Sequence, residues 1–115
     1  MKLSKIIEKC KLEKVVYEGD CEIKAGYCGD LMSDVMAHAE PDSIWITIQA
    51  HKNSIAVALI KDIKAIVFSN DITIEGDVIK KAREENINLL RTKENSFNIC
   101  GEIYYCMMEG KTDTD

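Results

Sequence analysis

The chain lacks most of the features that would mark it for a particular chemistry. It has one proline, Pro41, and no low-complexity or linker-like stretch that would divide it. Basic residues number 15 against 20 acidic ones, a net charge of −5. That balance argues against non-specific nucleic-acid binding, which depends on neutralising phosphates, and against anionic membrane surfaces. No apolar run approaches the roughly 20 residues needed to cross a bilayer. The opening MKLSKIIEKCKLEK mixes charges throughout and does not read as a secretory leader, so the chain reads as cytoplasmic.

Metal and catalytic signatures are missing as well. The five cysteines, Cys10, Cys21, Cys28, Cys100 and Cys106, are odd in number and contain no C-x-x-C. Zinc and iron–sulfur sites need tighter clusters, and disulfide frameworks belong to small secreted chains. Reduced, buried or half-buried thiols are expected, with no metal and no cofactor. There is no G-x-x-x-x-G-K-[ST], no G-x-G-x-x-G and no G-x-S-x-G. Cys28 and His51 offer a nucleophile and a base by residue type alone, with nothing in the spacing to join them. No catalytic residue is assigned, and a non-enzyme is the expected reading.

What is present is the patterning of one α/β domain. A chain of 115 residues buries about two-thirds of its unfolded surface, enough for one core. Leu3, Ile6, Ile7, Cys10 and Leu12 fall on one side of a short helix, for which Ser4 is the expected N-cap. A strand at Val15–Tyr17, a turn at Glu18–Asp20 and a second strand over Glu22–Cys28 follow. No second helix of a helix-turn-helix appears. Asp30 is the expected cap of a helix Leu31–Ala39, which carries Met32 and Met36 on one stripe. SIWITIQ, Ser43–Gln49, is a β-branched strand. NSIAVALIK, Asn53–Lys61, is a helix apolar nearly all round and expected to be buried. KAIVF, Lys64–Phe68, lacks alternation, as in a strand covered on both faces. A helix Asp77–Glu85, a strand Asn88–Leu90 and a final helix Asn95–Met108 complete the series. The last has an apparent apolar stripe of Phe97, Cys100, Tyr104 and Met107. Alternating strands and helices predict a three-layer α/β sandwich with a mainly parallel sheet of about five strands. Residues 1–110 form the domain, and 111–115 read as a flexible tail.

In an open parallel sheet, ligands bind outside the carboxyl ends of the strands, where helix N-termini all point. This chain places His51, Lys52, Asn53 and Ser54 after its third strand. Ser69, Asn70 and Asp71 follow the fourth. Arg91, Thr92 and Lys93 follow the fifth. Lys52, Arg91 and Lys93 would hold the charge of a phosphate or carboxylate, and His51, Asn53, Ser54, Ser69 and Asn70 would orient it. The alternative is that these are helix caps and solvated loop.

The run GYCGDLMSDVMAHAEPDSIWITIQAHKNSIAVALIKDIKAIVFSND, followed by EENINLLRT and a final helix, resembles the DRTGG domain from Gly26 to Met108. Gly29-Asp30-Leu31-Met32-Ser33 and the Pro41 turn leading to Ile46-Thr47 carry the likeness most specifically. The resemblance implies an α/β module similar to the N-terminal domain of HPr kinase/phosphorylase. Such modules also occur in some phosphotransacetylases and beside CBS domain pairs. It implies regulation or ligand sensing without catalysis. The chain departs from the family at two points. His51-Lys52 stands where members often have Asp-Arg, and Ser69-Asn70-Asp71 where they often have Thr-Gly-Gly.

Two functions follow from this reading. One is a regulatory module binding a nucleotide or phosphorylated metabolite at the strand-end edge, as a homo-oligomer. The other is an interaction or self-association module without a small-molecule ligand. The Met-bearing stripe and the apolar helix near Ile55–Ile60 motivate the second.

Overall fold

Short runs of β-branched and aromatic residues supply five strands, with five helices between and around them. The computed structural model describes residues 1–112. In chain order the elements are α1 (Leu3–Cys10), β1 (Glu13–Val16), β2 (Ala25–Cys28), α2 (Met32–His38), β3 (Ser43–Thr47), α3 (Lys52–Lys61), β4 (Ala65–Phe68), α4 (Gly76–Glu84), β5 (Asn88–Arg91) and α5 (Ser96–Thr112). α5 therefore runs into the segment expected as a tail, whose remainder lies outside the described residues.

The strands lie in the order β1-β5-β4-β3-β2. β2, β3, β4 and β5 are parallel, with Tyr27 opposite Trp45, Trp45 opposite Ile66 and Ile66 opposite Leu89. β1 joins the far edge antiparallel to β5. Each crossover from β2 to β5 steps one place in the same direction. Right-handed crossovers then put α2, α3 and α4 on one face. The packing follows this rule. Val35, Ile55, Ala58, Val78 and Ala82 meet Trp45, Ile66, Phe68 and Leu89 on that side. On the other side, Leu3, Ile6, Ile99 and Ile103 of α1 and α5 cover Ile44, Ile46, Ala65, Val67 and Leu90. All four residues of β4 are buried, alternate ones going to each core, which is why its sequence shows no alternation. The three-layer α/β sandwich with a mainly parallel five-stranded sheet is the observed fold.

Several local expectations are corrected. Ser4 does not cap α1, which starts at Leu3. Instead the Ser4 N–H and hydroxyl donate to the Asp20 carboxylate at 2.9 and 2.7 Å. Asp20 is thereby held more acidic than an ordinary aspartate, chiefly by the hydroxyl. Asp30 does not cap α2. Its Oδ1 accepts from the Thr47 hydroxyl at 2.8 Å and the Ile48 N–H at 2.9 Å, fastening the β2–α2 loop to the end of β3. α3 is not buried all round. It is an outer-layer helix with only one face on the sheet, so Leu59 and Ile60 stand exposed. On α5 the buried stripe is Ile99, Ile103, Cys106 and Met107, while Phe97 and Tyr104 are 86% and 66% exposed.

Candidate functional site

Because β2 to β5 run the same way, the loops after all four open on one edge of the sheet. Several of the polar residues there also have a local duty. The loop after β4 turns through Asn70 and Asp71, both with positive φ (64° and 53°). Two successive left-handed residues are costly for most side chains and least so for Asn, Asp and Gly. The turn is locked against the loop after β5. The Asn70 N–H donates to the Glu94 carbonyl at 2.8 Å, and the Asp71 N–H to the Thr92 carbonyl at 2.9 Å. The buried Ser69 hydroxyl shares a 2.6 Å hydrogen bond with that of Ser96 at the start of α5. Arg91 Nη2 donates to Asp71 Oδ1 at 2.6 Å.

The structure therefore gathers Ser69, Asn70, Arg91 and the loop carrying Lys93 into one bonded unit. His51, Lys52, Asn53 and Ser54 sit beside it at the start of α3, on the same edge. Among the described residues, no side-chain bond joins the two groups. Ser54 is buried and its hydroxyl donates to the Gln49 carbonyl, closing its own loop. Lys52 lies 3.8 Å from Asp77 of α4, an exposed pair of small energetic weight. The side chains of His51, Asn53 and Lys93 are exposed. His51 precedes α3 without a side-chain cap, which leaves first-turn amides of that helix facing the edge.

Arg91 stands apart in one respect. Its Nε is buried and makes no hydrogen bond, the one such side-chain atom among the described residues. It borders a cleft of about 520 Å³ with Lys9, Lys11, Glu13, Thr92, Lys93, Glu94 and Glu102. Of these residues the sequence reading names Arg91 and Lys93 as ligand-binding; Lys9, Lys11 and the carboxylates come from the structure. Glu94 and Glu102 come together across the start of α5. A side-chain hydrogen bond with Glu94, followed by burial, pushes the Glu102 carboxyl above the usual glutamate range. Nothing in the linear spacing announced that pair.

A second cleft, of about 1080 Å³, lies between α5 and the outer strand β2. Gly26, Cys28, Cys100, Gly101, Phe97 and Tyr104 are among its lining residues. A Cβ at Gly101 would meet nothing within 4 Å, and one at Gly26 would touch only Ile44, so the two glycines leave this space open. The Cys100 thiol is pushed up to about 12 by burial and then by its hydrogen bond with Cys28. That of Cys10 is pushed up to about 12 by burial and by Cys106. Such thiols are poor nucleophiles at neutral pH. Cys28 belongs to the α5 side of the sheet and has no bond to His51.

Comparison with known proteins shows the architecture to be a DRTGG-like α/β fold. No family model matches the chain, and no curated protein does. Among solved structures, the chain is similar to the CBS and DRTGG domains of the regulatory region of Clostridium perfringens pyrophosphatase, complexed with its activator, diadenosine tetraphosphate. The TM-score is 0.69 at 16% identity, over 88% of this chain and 45% of that one. The likeness is one of fold, and this chain spans less than half of that structure's length. No helix among the described residues is long and apolar enough to cross a membrane.

Proposed function

We propose that the chain is a regulatory, ligand-sensing module that binds an anionic metabolite or nucleotide at the carboxyl edge of the sheet and catalyses nothing itself. The observation that carries this reading is Arg91. Its guanidinium is anchored on one side by Asp71, and its Nε–H is buried without an acceptor. A buried donor left idle is rare, and an oxyanion is the natural partner for a guanidinium. Lys93 adds charge beside it. The uncapped start of α3, with Lys52 and His51, adds backbone donors and a positive dipole end on the same edge. Asn53 and Asn70 lie on the same edge, and the buried Ser69 hydroxyl, shared with Ser96, braces the loop after β4. The likeness to a regulatory region solved with a nucleotide activator supports the ligand class.

Thermal shift against nucleotides and phosphorylated metabolites, followed by calorimetry on any hit, tests the reading. The expected result is a dose-dependent rise in Tm, with affinity falling about tenfold or more in Arg91→Gln and in Lys93→Ala. A panel with no hit, or a hit indifferent to both substitutions, rejects it. A second reading is self-association without a small-molecule ligand. Phe97, Tyr104 and Tyr105, all mostly exposed on α5, favour it.

A further inference from the structure

The sheet has two edges, and they are built differently. At one edge, β1 carries Glu13 and Lys14, is antiparallel to its neighbour and breaks register between Lys14 and Val16. Charge and a bulge are the usual protections against edge pairing. At the other edge, β2 reads AGYC. It has no charge, no proline and no register break; among the described residues its backbone pairs only with β3, and the N-terminal residues pair just before it, Lys2 opposite Glu22. Gly26 and Cys28 are exposed. Directly beside it runs the cleft under α5, with Phe97 and Tyr104 on its rim.

We infer that β2 pairs antiparallel with β2 of a second copy of this chain, across a two-fold axis at Tyr27. The occupant follows from charge. β2 is preceded by Lys24, which is 69% exposed and only loosely paired with Asp42 at 3.6 Å. It is followed by Asp30, whose Oδ1 is held by Thr47 and Ile48 at the end of β3 and whose Oδ2 has no hydrogen-bond partner among the described residues. Lys24 and Asp30 are equally distant from Tyr27 in sequence. Antiparallel self-pairing centred there sets Lys24 opposite the partner's Asp30 at both ends. Gly26 falls opposite the partner's Cys28, and Tyr27 opposite the partner's Tyr27. Cross-strand pairs stand about 4.5–5.5 Å apart, close enough for these charges to attract. One sheet then runs through both copies, and the two α5 helices flank the axis with their aromatic residues. The interface is self-complementary, as a two-fold requires. This inference rests on the self-association reading above and is independent of the ligand reading.

Sedimentation equilibrium and cross-linking test it. The intact chain should sediment as a dimer. Gly26→Lys puts a charge into the bare edge at a position where a Cβ has room, and should weaken the dimer about a hundredfold. Gly26→Cys should yield a covalent dimer with the partner's Cys28 under mild oxidation, when each pair of thiols gives up two hydrogens to an added disulfide reagent. That second variant decides the matter if Gly26→Lys fails to fold. A monomer at every concentration overturns both the interface and the self-association reading. A dimer that Gly26→Lys leaves intact and Gly26→Cys does not cross-link overturns this interface alone.

Discussion

Asn70 and Asp71 take the left-handed conformation where DRTGG-like sequences often have two glycines, and this gives the departure noted in the sequence a physical meaning. The backbone of this chain has positive φ at both positions, and after glycine Asn and Asp are the residues that meet that demand at least cost. Asn70→Gly should leave stability nearly unchanged. Asn70→Val should cost about 1–2 kcal/mol, because a β-branched residue fits that region poorly. Chemical denaturation measures both. Thiols make a second prediction at this scale. Cys10 and Cys100 are pushed up to about 12, while an unfolded cysteine ionises near about 8.5. The unfolded chain therefore loses these protons first as pH rises, and stability should fall above about pH 8.5. Tm at pH 10 should lie below Tm at pH 8, with a shallower slope in Cys10→Ala. The residue types at such positions were legible in the sequence. Their conformations and burial were not, because both are imposed by neighbours distant along the chain.

Between elements, the corrections share one cause. Asp30 was read as a local cap but clasps β3 through Thr47 and Ile48, so a carboxylate beside a helix start served a strand two elements away in sequence. The spacing of α5 gave its helical period correctly but its buried face only in part: Met107 and Cys100 reach the core, Phe97 and Tyr104 do not. Phe97 and Tyr104 are the larger apolar residues, yet Ile99 and Ile103 meet the sheet. Which stripe is buried depends on the angle at which β5 delivers the chain to α5, and that angle is not written in α5. The Glu94–Glu102 pair yields a prediction at this scale. Glu102 holds its proton above the usual glutamate range, so the cleft at Arg91 loses negative charge as pH falls through that raised value. An anionic ligand should bind more tightly as acidity increases, and Glu102→Gln should flatten that pH dependence in calorimetric titrations.

Across the whole molecule, one sheet serves two cores, and β4 feeds both. Ile66→Ala and Val67→Ala remove side chains on opposite faces and should cost about 2–5 and about 2 kcal/mol respectively. Both should lower a single common unfolding transition, since neither layer keeps its packing without the shared strand. The sequence by itself determined the alternation of strands and helices, the doubly covered β4 and the parallel sheet. These follow from hydrophobic periodicity and from the handedness of crossovers, which are properties of short segments. It also determined that polar loops after successive strands would open on one edge, since parallel strands leave no other arrangement. Only the tertiary structure decided which of those polar groups are spent on one another, that Arg91 keeps an idle donor, and that β2 is left as a bare outer strand. Those outcomes depend on strand order and on contacts between residues far apart in the chain, where local pattern carries no information.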